Sequence, residues 1–242
     1  MNFTYHDYQE LLWRLRERGY HFAAFPQAED YLRQGRMFVL LRHDVDFDVE
    51  QALRMARIET ESGALATYFF LLRTEHYNLL SPETLAVVSE ILALGHHLGL
   101  HFDCAAYPPS WETAALAAAC AREVRVLAEW FQRPVTIVSY HRPGRRELSG
   151  EPGISAPLPH TYLPLFVQRM RYLADSRGEW RFGVPTQDAA FVEGRPLHLL
   201  VHPVWWHDRP LSPQEALSEV LARRAAAVEA SVARNCSVYQ RV

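Results

Sequence analysis

Along this chain, short apolar runs stop abruptly at charged or imidazole side chains, and helix-like patterns fill the intervals. The sharpest case is residues 37–48, MFVLLRHDVDFD, where five unbroken apolar residues lead into Arg42, His43, Asp44, Val45 and Asp46. Such a run bounded by charge predicts a strand buried on both faces, with the charges marking its exit from the core. Further strands are predicted at 66–72, in a short segment ending at His101, at 135–140, at 171–174 and at 197–201. A shorter candidate at 20–25 is closed by Pro26.

Helical periodicity separates these runs. Residues 4–18 place Tyr8, Leu11, Leu12 and Leu15 on one face, with Thr4 and Asp7 spaced as a capping box and Gly19 as the stop. Residues 49–62 carry Ala52, Leu53, Ala56 and Ile58 on one face before Gly63. Ser81, Pro82 and Glu83 open a helix that runs to Gly95. Ser110 is expected to cap an alanine-rich helix ending near Phe131, and Ser212 with Pro213 to open a last helix running past Ala230. The Gly- and Pro-dense stretch 143–159 predicts a long irregular loop of the kind that covers a site. Strands alternating with helices predict an α/β fold with a mainly parallel sheet, open or closed into a barrel.

Composition narrows the picture. With 242 residues and 49% hydrophobic content, one core and a single domain over 1–242 are expected. A net charge of -3 and scattered basic residues speak against nucleic acid or an anionic membrane as partner. The densest basic group is Arg122, Arg125, Arg142, Arg145 and Arg146, expected as solvated surface, with a phosphate-bearing substrate as its alternative use. Three cysteines, Cys104, Cys120 and Cys236, show no metal or disulfide spacing and point to a reducing compartment. The opening MNFTYHDYQELLWRLRERGY is unlike a signal peptide, and no run approaches a membrane span of about 18 apolar residues, so a cytoplasmic protein without membrane insertion is expected. Nothing in the pattern specifies an oligomeric state.

Candidate chemistry collects where strands finish: Asp44 and Asp46, His101 and Asp103, His141 and Arg142, Asp175, and His202. In a (β/α) barrel all such ends meet on one face, where these barrels place their active sites. Strand alternation sends Asp44 and Asp46 to the same side, about 7 Å apart. Two such carboxylates suit a divalent metal beside a general base. The competing expectation is an acidic loop that caps the next helix. His97 and His101 imitate a metal spacing, but on a strand they lie about 13 Å apart, so His97 is read as structural, and His96 with it. Trp205 and Trp206 are left between two uses, stacking on a sugar or burying apolar area.

The order RHDVD, ATYFFL, GHHLGLHF, HRPG, DSRGEW and LLVHP resembles the polysaccharide deacetylase (NodB-homology) superfamily, the family 4 carbohydrate esterases, over about residues 39–206. More narrowly it resembles the branch written RHDVD, GHEIGLHFD and HPxWW, often associated with surface-polysaccharide clusters. The resemblance implies a distorted (β/α)7 TIM-like barrel in a single domain, with residues 1–36 packed on it as an extension. It implies removal of an acetyl group from a sugar or sugar precursor with one divalent metal, usually zinc, with nickel, cobalt, iron or manganese as alternatives.

By the same resemblance Asp44 matches the catalytic base, Asp46 and His101 match metal ligands, and Arg142 matches the arginine that orients the base. Asp175 and Trp180 match the motif that supports the acid, and His202 matches the acid itself. One departure stands out: where the family places a second metal histidine, four residues after His101, this chain has Ala105. His141 is the first candidate to replace it, and Asp103 the second. Two alternatives stay open, a degenerate barrel that binds a saccharide or a protein, and an amidohydrolase acting on a non-sugar amide. A helical phosphohydrolase built on His43 and Asp44 is disfavoured, because those residues lie on an expected strand.

Overall fold

The computed structural model describes residues 2–145, 147–148 and 153–239. Its elements run α1 (Tyr5–Glu17), β1 (His21–Phe22), α2 (Ala28–Arg33), β2 (Phe38–Val45), α3 (Val49–Glu61), β3 (Ala66–Phe70), α4 (Pro82–Ala93) and β4 (His97–Phe102). They continue through α5 (Thr113–Phe131), β5 (Val138–Tyr140), α6 (Pro164–Val167), β6 (Arg171–Ala174), α7 (Ala189–Glu193), β7 (Leu197–Val201) and α8 (Pro213–Asn235). The strands form one sheet in the order β5-β4-β3-β2-β7-β6, with β1 beside the start of β2. Every pair is parallel. No ladder joins β5 to β6 among the described residues, so the barrel is incomplete on that side. This is the α/β fold with a parallel sheet expected from the alternation of strands and helices, and the distorted barrel that the resemblance implies. Among the described residues no helix is long and apolar enough to cross a membrane.

The central strand is β2, and its two faces divide the hydrophobic interior. Register partners in a parallel sheet point the same way. Arg42 pairs with Thr67 and Leu200, Asp44 with Phe69, and Phe69 with Gly99, while His101 pairs with Ser139. One face of the sheet therefore carries Leu40, Arg42, Asp44, Phe69, Gly99, His101 and Ser139. Its lower part is an apolar floor of Phe38, Leu40, Phe69 and Ile137, plugged by Phe25, Ala28, Phe166 and Met170. The other face carries Val39, Leu41, Val45, Tyr68 and Phe70, which pack with the helix faces of α1, α3 and α4 into a separate, larger cluster.

His43 lies on that outer face, where its Nε2 is 2.5 Å from Glu59 Oε1. The Tyr8 hydroxyl donates to the same oxygen and the Tyr68 hydroxyl donates to Oε2 at 2.7 Å. Glu59 is fully buried. Burial alone would raise its pKa, but the His43 charge and these hydrogen bonds outweigh that and hold the carboxylate ionised, below its ordinary range. This knot fastens α1 to α3 and to the sheet.

Several boundaries follow local chemistry as expected. Thr4 and Asp7 form the capping box of α1. Ser81 accepts from the Thr84 backbone at the start of α4, and Ser212 with Glu215 boxes the start of α8. Other expectations are corrected. Ser110 caps nothing, because α5 begins at Thr113 with Glu112 before it. The strand expected at 135–140 shortens to its last three residues, and the one at 20–25 to His21–Phe22, followed by a turn of 3-10 helix at Phe25–Gln27. Short α2, α6 and α7 carry too few turns to show a period in sequence. Within the loop expected at 143–159, residues 146 and 149–152 lie outside the described residues.

Gly99 is required by close approach. A Cβ built there would sit 2.4 Å from Phe69 Cδ1. Gly99→Ala should therefore destabilise the fold by roughly 1–3 kcal/mol, the usual range for overpacking, and Phe69→Leu should recover part of that loss in the double variant; denaturant unfolding measures both. Inside the barrel His198 is fully buried beside Phe25, Phe166 and Tyr172, with Nδ1 3.3 Å from the Phe166 carbonyl. Burial, with the Arg42 charge nearby, pushes its pKa down to about 3. An unfolded histidine titrates near 6.5, so the unfolded chain gains a proton that the native state refuses. Stability tied to His198 is complete above about pH 6.5 and is lost as pH falls toward 3. His198→Leu should make stability fall less steeply between pH 7 and pH 4.5; equal slopes for the two proteins would reject the assignment.

Candidate active site

The inner face of β2 rises from Phe38 and Leu40 to Arg42 and then Asp44, so the charged positions are stacked directly on the apolar floor. Arg42 grips Asp44 with two parallel hydrogen bonds, Nε to Oδ1 at 2.8 Å and Nη2 to Oδ2 at 2.7 Å. The same Nη2 donates to the Ser139 hydroxyl of β5 and to the Tyr162 hydroxyl at 3.1 Å. Burial acts first to raise the Asp44 pKa, but the Arg42 charge, His101, the Arg42 hydrogen bonds and His202 overcome it, and the group is brought down to about 2. Asp44 is a buried carboxylate that stays ionised.

Beyond the end of β2, Asp46 meets two imidazoles. Asp46 Oδ1 lies 3.1 Å from His101 Nε2 at the end of β4 and 3.3 Å from His141 Nδ1 just after β5. The two nitrogens are 3.2 Å apart. Among the described residues Asp46 Oδ1 is buried without a hydrogen-bond partner. A tetrahedral ion with bonds of about 2.0–2.1 Å has donor-to-donor edges of about 3.3–3.4 Å. The Asp46, His101 and His141 triangle fits one face of that tetrahedron, and two imidazoles with a carboxylate form a donor set suited to zinc and to other first-row divalent ions. No other group of three such donors occurs among the described residues.

Across the same cavity, Asp175 follows β6 and His202 follows β7. Asp175 is fully buried and accepts from the His202 backbone at 3.0 Å and from the Trp206 indole at 3.0 Å. His202 Nδ1 lies 2.6 Å from Asp175 Oδ1. Burial works against charge on the imidazole, but Asp175 outweighs it and the His202 pKa is raised to about 9. His202 is thus an imidazolium at neutral pH, with Nδ1–H committed to Asp175 and Nε2–H left as the donor. Asp44, Asp46, His101, His141 and His202 all line one cavity of about 870 Å³.

Of the residues singled out in sequence, the structure brings Asp44, Asp46, His101, His141, Asp175 and His202 together. Arg142 is placed differently. Its side chain is 68% exposed and pairs with Asp103 Oδ2 at 2.8 Å, so the arginine that holds Asp44 is Arg42, two residues before it on the same strand face. The signal was present in the sequence: an arginine inside a buried apolar strand needs a counter-ion, and the i+2 residue supplies it. Asp103 stays outside the donor triangle, bonded to Arg142 and to the Ala105 backbone. Ala105 lines the cavity. His96 is buried against the Ala56 carbonyl at 3.0 Å, and His97 begins β4 at its exposed end. Trp206 is buried and donates to Asp175, while Trp205 lines the cavity. Ser139 and Tyr162 carried no recognisable pattern in sequence.

No protein-family model matches the chain, and no curated protein matches it. Among solved structures it is similar to the Streptococcus pyogenes deacetylase PplD in complex with acetate, at 15% identity and a TM-score of 0.49, covering 87% of this chain and 84% of that one. It is similar to a carbohydrate esterase family 4 pseudoenzyme from Bacillus anthracis, at 15% identity and 0.47, and spans 61% of that protein's length. The chitin deacetylase of Colletotrichum lindemuthianum matches at 15% identity and 0.45, covering 77% of this chain and 81% of that one. With scores below 0.5, these three likenesses assign neither reaction nor substrate to this chain.

Proposed function

We propose that this chain is a hydrolase that removes an acyl group, of acetyl size, from a sugar or sugar precursor, with one divalent ion held by Asp46, His101 and His141. The observation that carries the reading is the donor triangle with edges of 3.1–3.3 Å, set in one cavity with an ionised Asp44 and a protonated His202. The sequence resemblance to sugar deacetylases points to the same class. His141 stands in for the family histidine that Ala105 lacks, which favours this reading over a degenerate barrel. The absence of disulfide spacing among Cys104, Cys120 and Cys236 supports a reducing compartment, and with it a soluble precursor in surface-polysaccharide metabolism as substrate.

A divalent ion held by Asp46, His101 and His141 would supply Lewis acidity for an acyl carbonyl and would acidify water. Asp44, an ionised carboxylate lining the cavity, is placed to take a proton from water. Arg42 keeps Asp44 ionised and fixes its plane through both oxygens, so the carboxylate does not rotate away from the water. His202 Nε2–H donates to the departing nitrogen or oxygen, and Asp175 holds the ring in the tautomer and orientation that this requires.

Purified protein should carry about one zinc or similar ion per chain by elemental analysis. His141→Ala should bind zinc at least about tenfold more weakly, while Asp103→Ala and His97→Ala should retain it; a His141→Ala protein that holds zinc as tightly as the parent would remove His141 from the site. Asp44→Asn and His202→Ala should each lower kcat on acetylated sugars by about 10²-fold or more, with folding checked by circular dichroism. Because the acid must be protonated, kcat should fall on the alkaline side with an apparent pKa near 9. Asp175→Asn removes the charge that raises it, and should move that limb to lower pH.

A further inference from the structure

The cavity extends outward to a rim that the hydrolytic steps do not use. Three arginines line it from three different loops: Arg73 after β3, Arg142 after β5 and Arg177 after β6. Two are held in place. The Arg73 guanidinium carbon lies 4.5 Å from the centre of the Tyr107 ring, and Arg142 Nη2 donates to Asp103, whose other oxygen is occupied by the Ala105 N–H. That single bond leaves the rest of the Arg142 fork free. Arg177 is exposed and sits two residues beyond Asp175.

The backbone gives an independent reason to look at this rim. Arg142 has φ 47° and Arg177 has φ 66°, two of only four non-glycine residues in the left-handed region among the described residues. L-side chains other than Asn and Asp are disfavoured there, and a turn alone is served as well or better by glycine, as at Gly178 with φ 74°. Arginine stands at both left-handed positions, on loops that line one cavity. Guanidinium forks match the geometry of phosphate oxygens, and three of them suit a multiply charged oxyanion better than a single carboxylate.

We propose that Arg73, Arg142 and Arg177 form a phosphate-binding subsite, so that the acylated sugar is presented as a phosphate ester, either a sugar monophosphate or a nucleoside diphosphate sugar. The identity of the reacting half rests on the function proposed above; the phosphate subsite does not. The test uses ligands without an acyl group, so that no turnover contributes, titrated calorimetrically into the 242-residue protein as purified, and an arginine variant separates the subsite from phosphate bound to a metal.

Inorganic phosphate, uridine diphosphate and glucuronate are the probes. Phosphate or uridine diphosphate should bind saturably, with affinity that weakens steeply with salt, and the double variant R142Q/R177Q should weaken it at least tenfold. Uridine diphosphate binding tenfold tighter than phosphate assigns a nucleotide-linked sugar, and equal binding assigns a monophosphate. Absence of saturable binding, unchanged affinity in the double variant, or glucuronate binding as tightly as phosphate would overturn the subsite. Phosphate binding in a protein that hydrolyses no acetylated sugar upholds the subsite and removes the hydrolase reading. Hydrolysis of neutral acetylated sugars without phosphate binding does the reverse.

Discussion

The ion pair between Arg42 and Asp44 is the interaction on which the interior depends. Both groups are buried within the sheet, and each ion taken alone would lose several kcal/mol of hydration. They remain charged because they sit two residues apart on one strand face, close enough for two parallel hydrogen bonds, and because Ser139 and Tyr162 occupy further donor capacity of the guanidinium. Removing one partner from such a pair costs about 3–5 kcal/mol, since the other charge is left uncompensated. The pair therefore commits the upper half of the barrel to polar chemistry. It also holds the Asp44 carboxyl below the ordinary carboxylate range, at about 2.

Strand alternation makes one tripeptide serve two sites. Arg42 and Asp44 point inward, while His43 between them points outward to Glu59, Tyr8 and Tyr68. The outer knot places a second buried charge at the same height of the sheet, with its carboxylate satisfied from three directions. Helix α1 is tied to the strand that carries Asp44, so the N-terminal segment braces that strand from its outer face. His202 is held on the same plan. Asp175 at the end of β6 is locked by Trp206 and the His202 backbone, and the imidazole it orients comes from the end of β7. Asp44, the triangle of Asp46, His101 and His141, and His202 come from the ends of different strands, which the curled parallel sheet brings to one cavity.

Much of this was legible from the chain itself. Apolar runs ending in Asp44, His101, Asp175 and His202 located the strands and the ends that matter, because burial and the strand period are local properties of the residues. Capping at Thr4, Ser81 and Ser212 was equally local. The short helices α2, α6 and α7 were not legible, since one or two turns leave no period to read; the apolar residues of α2 and α6 join the plug beneath Phe69 and Leu40, while Ala190 and Phe191 of α7 pack into the larger cluster. The orienting arginine was misplaced for a related reason: Arg142 and Arg42 both precede or follow strand chemistry, and only register shows that Arg42 shares a face with Asp44 while Arg142 turns outward to Asp103.

By itself, then, the sequence determined which residues leave the core charged and on which strands, because the free energy of burying a side chain depends on that side chain and its near neighbours. Which of them meet was decided by tertiary structure. His141 joins Asp46 and His101 because β4 and β5 are adjacent and in register, and Ser139 reaches Asp44 for the same reason. Distances of about 3 Å between groups separated by 40 to 100 residues are set by sheet order and curvature, and no local pattern encodes them.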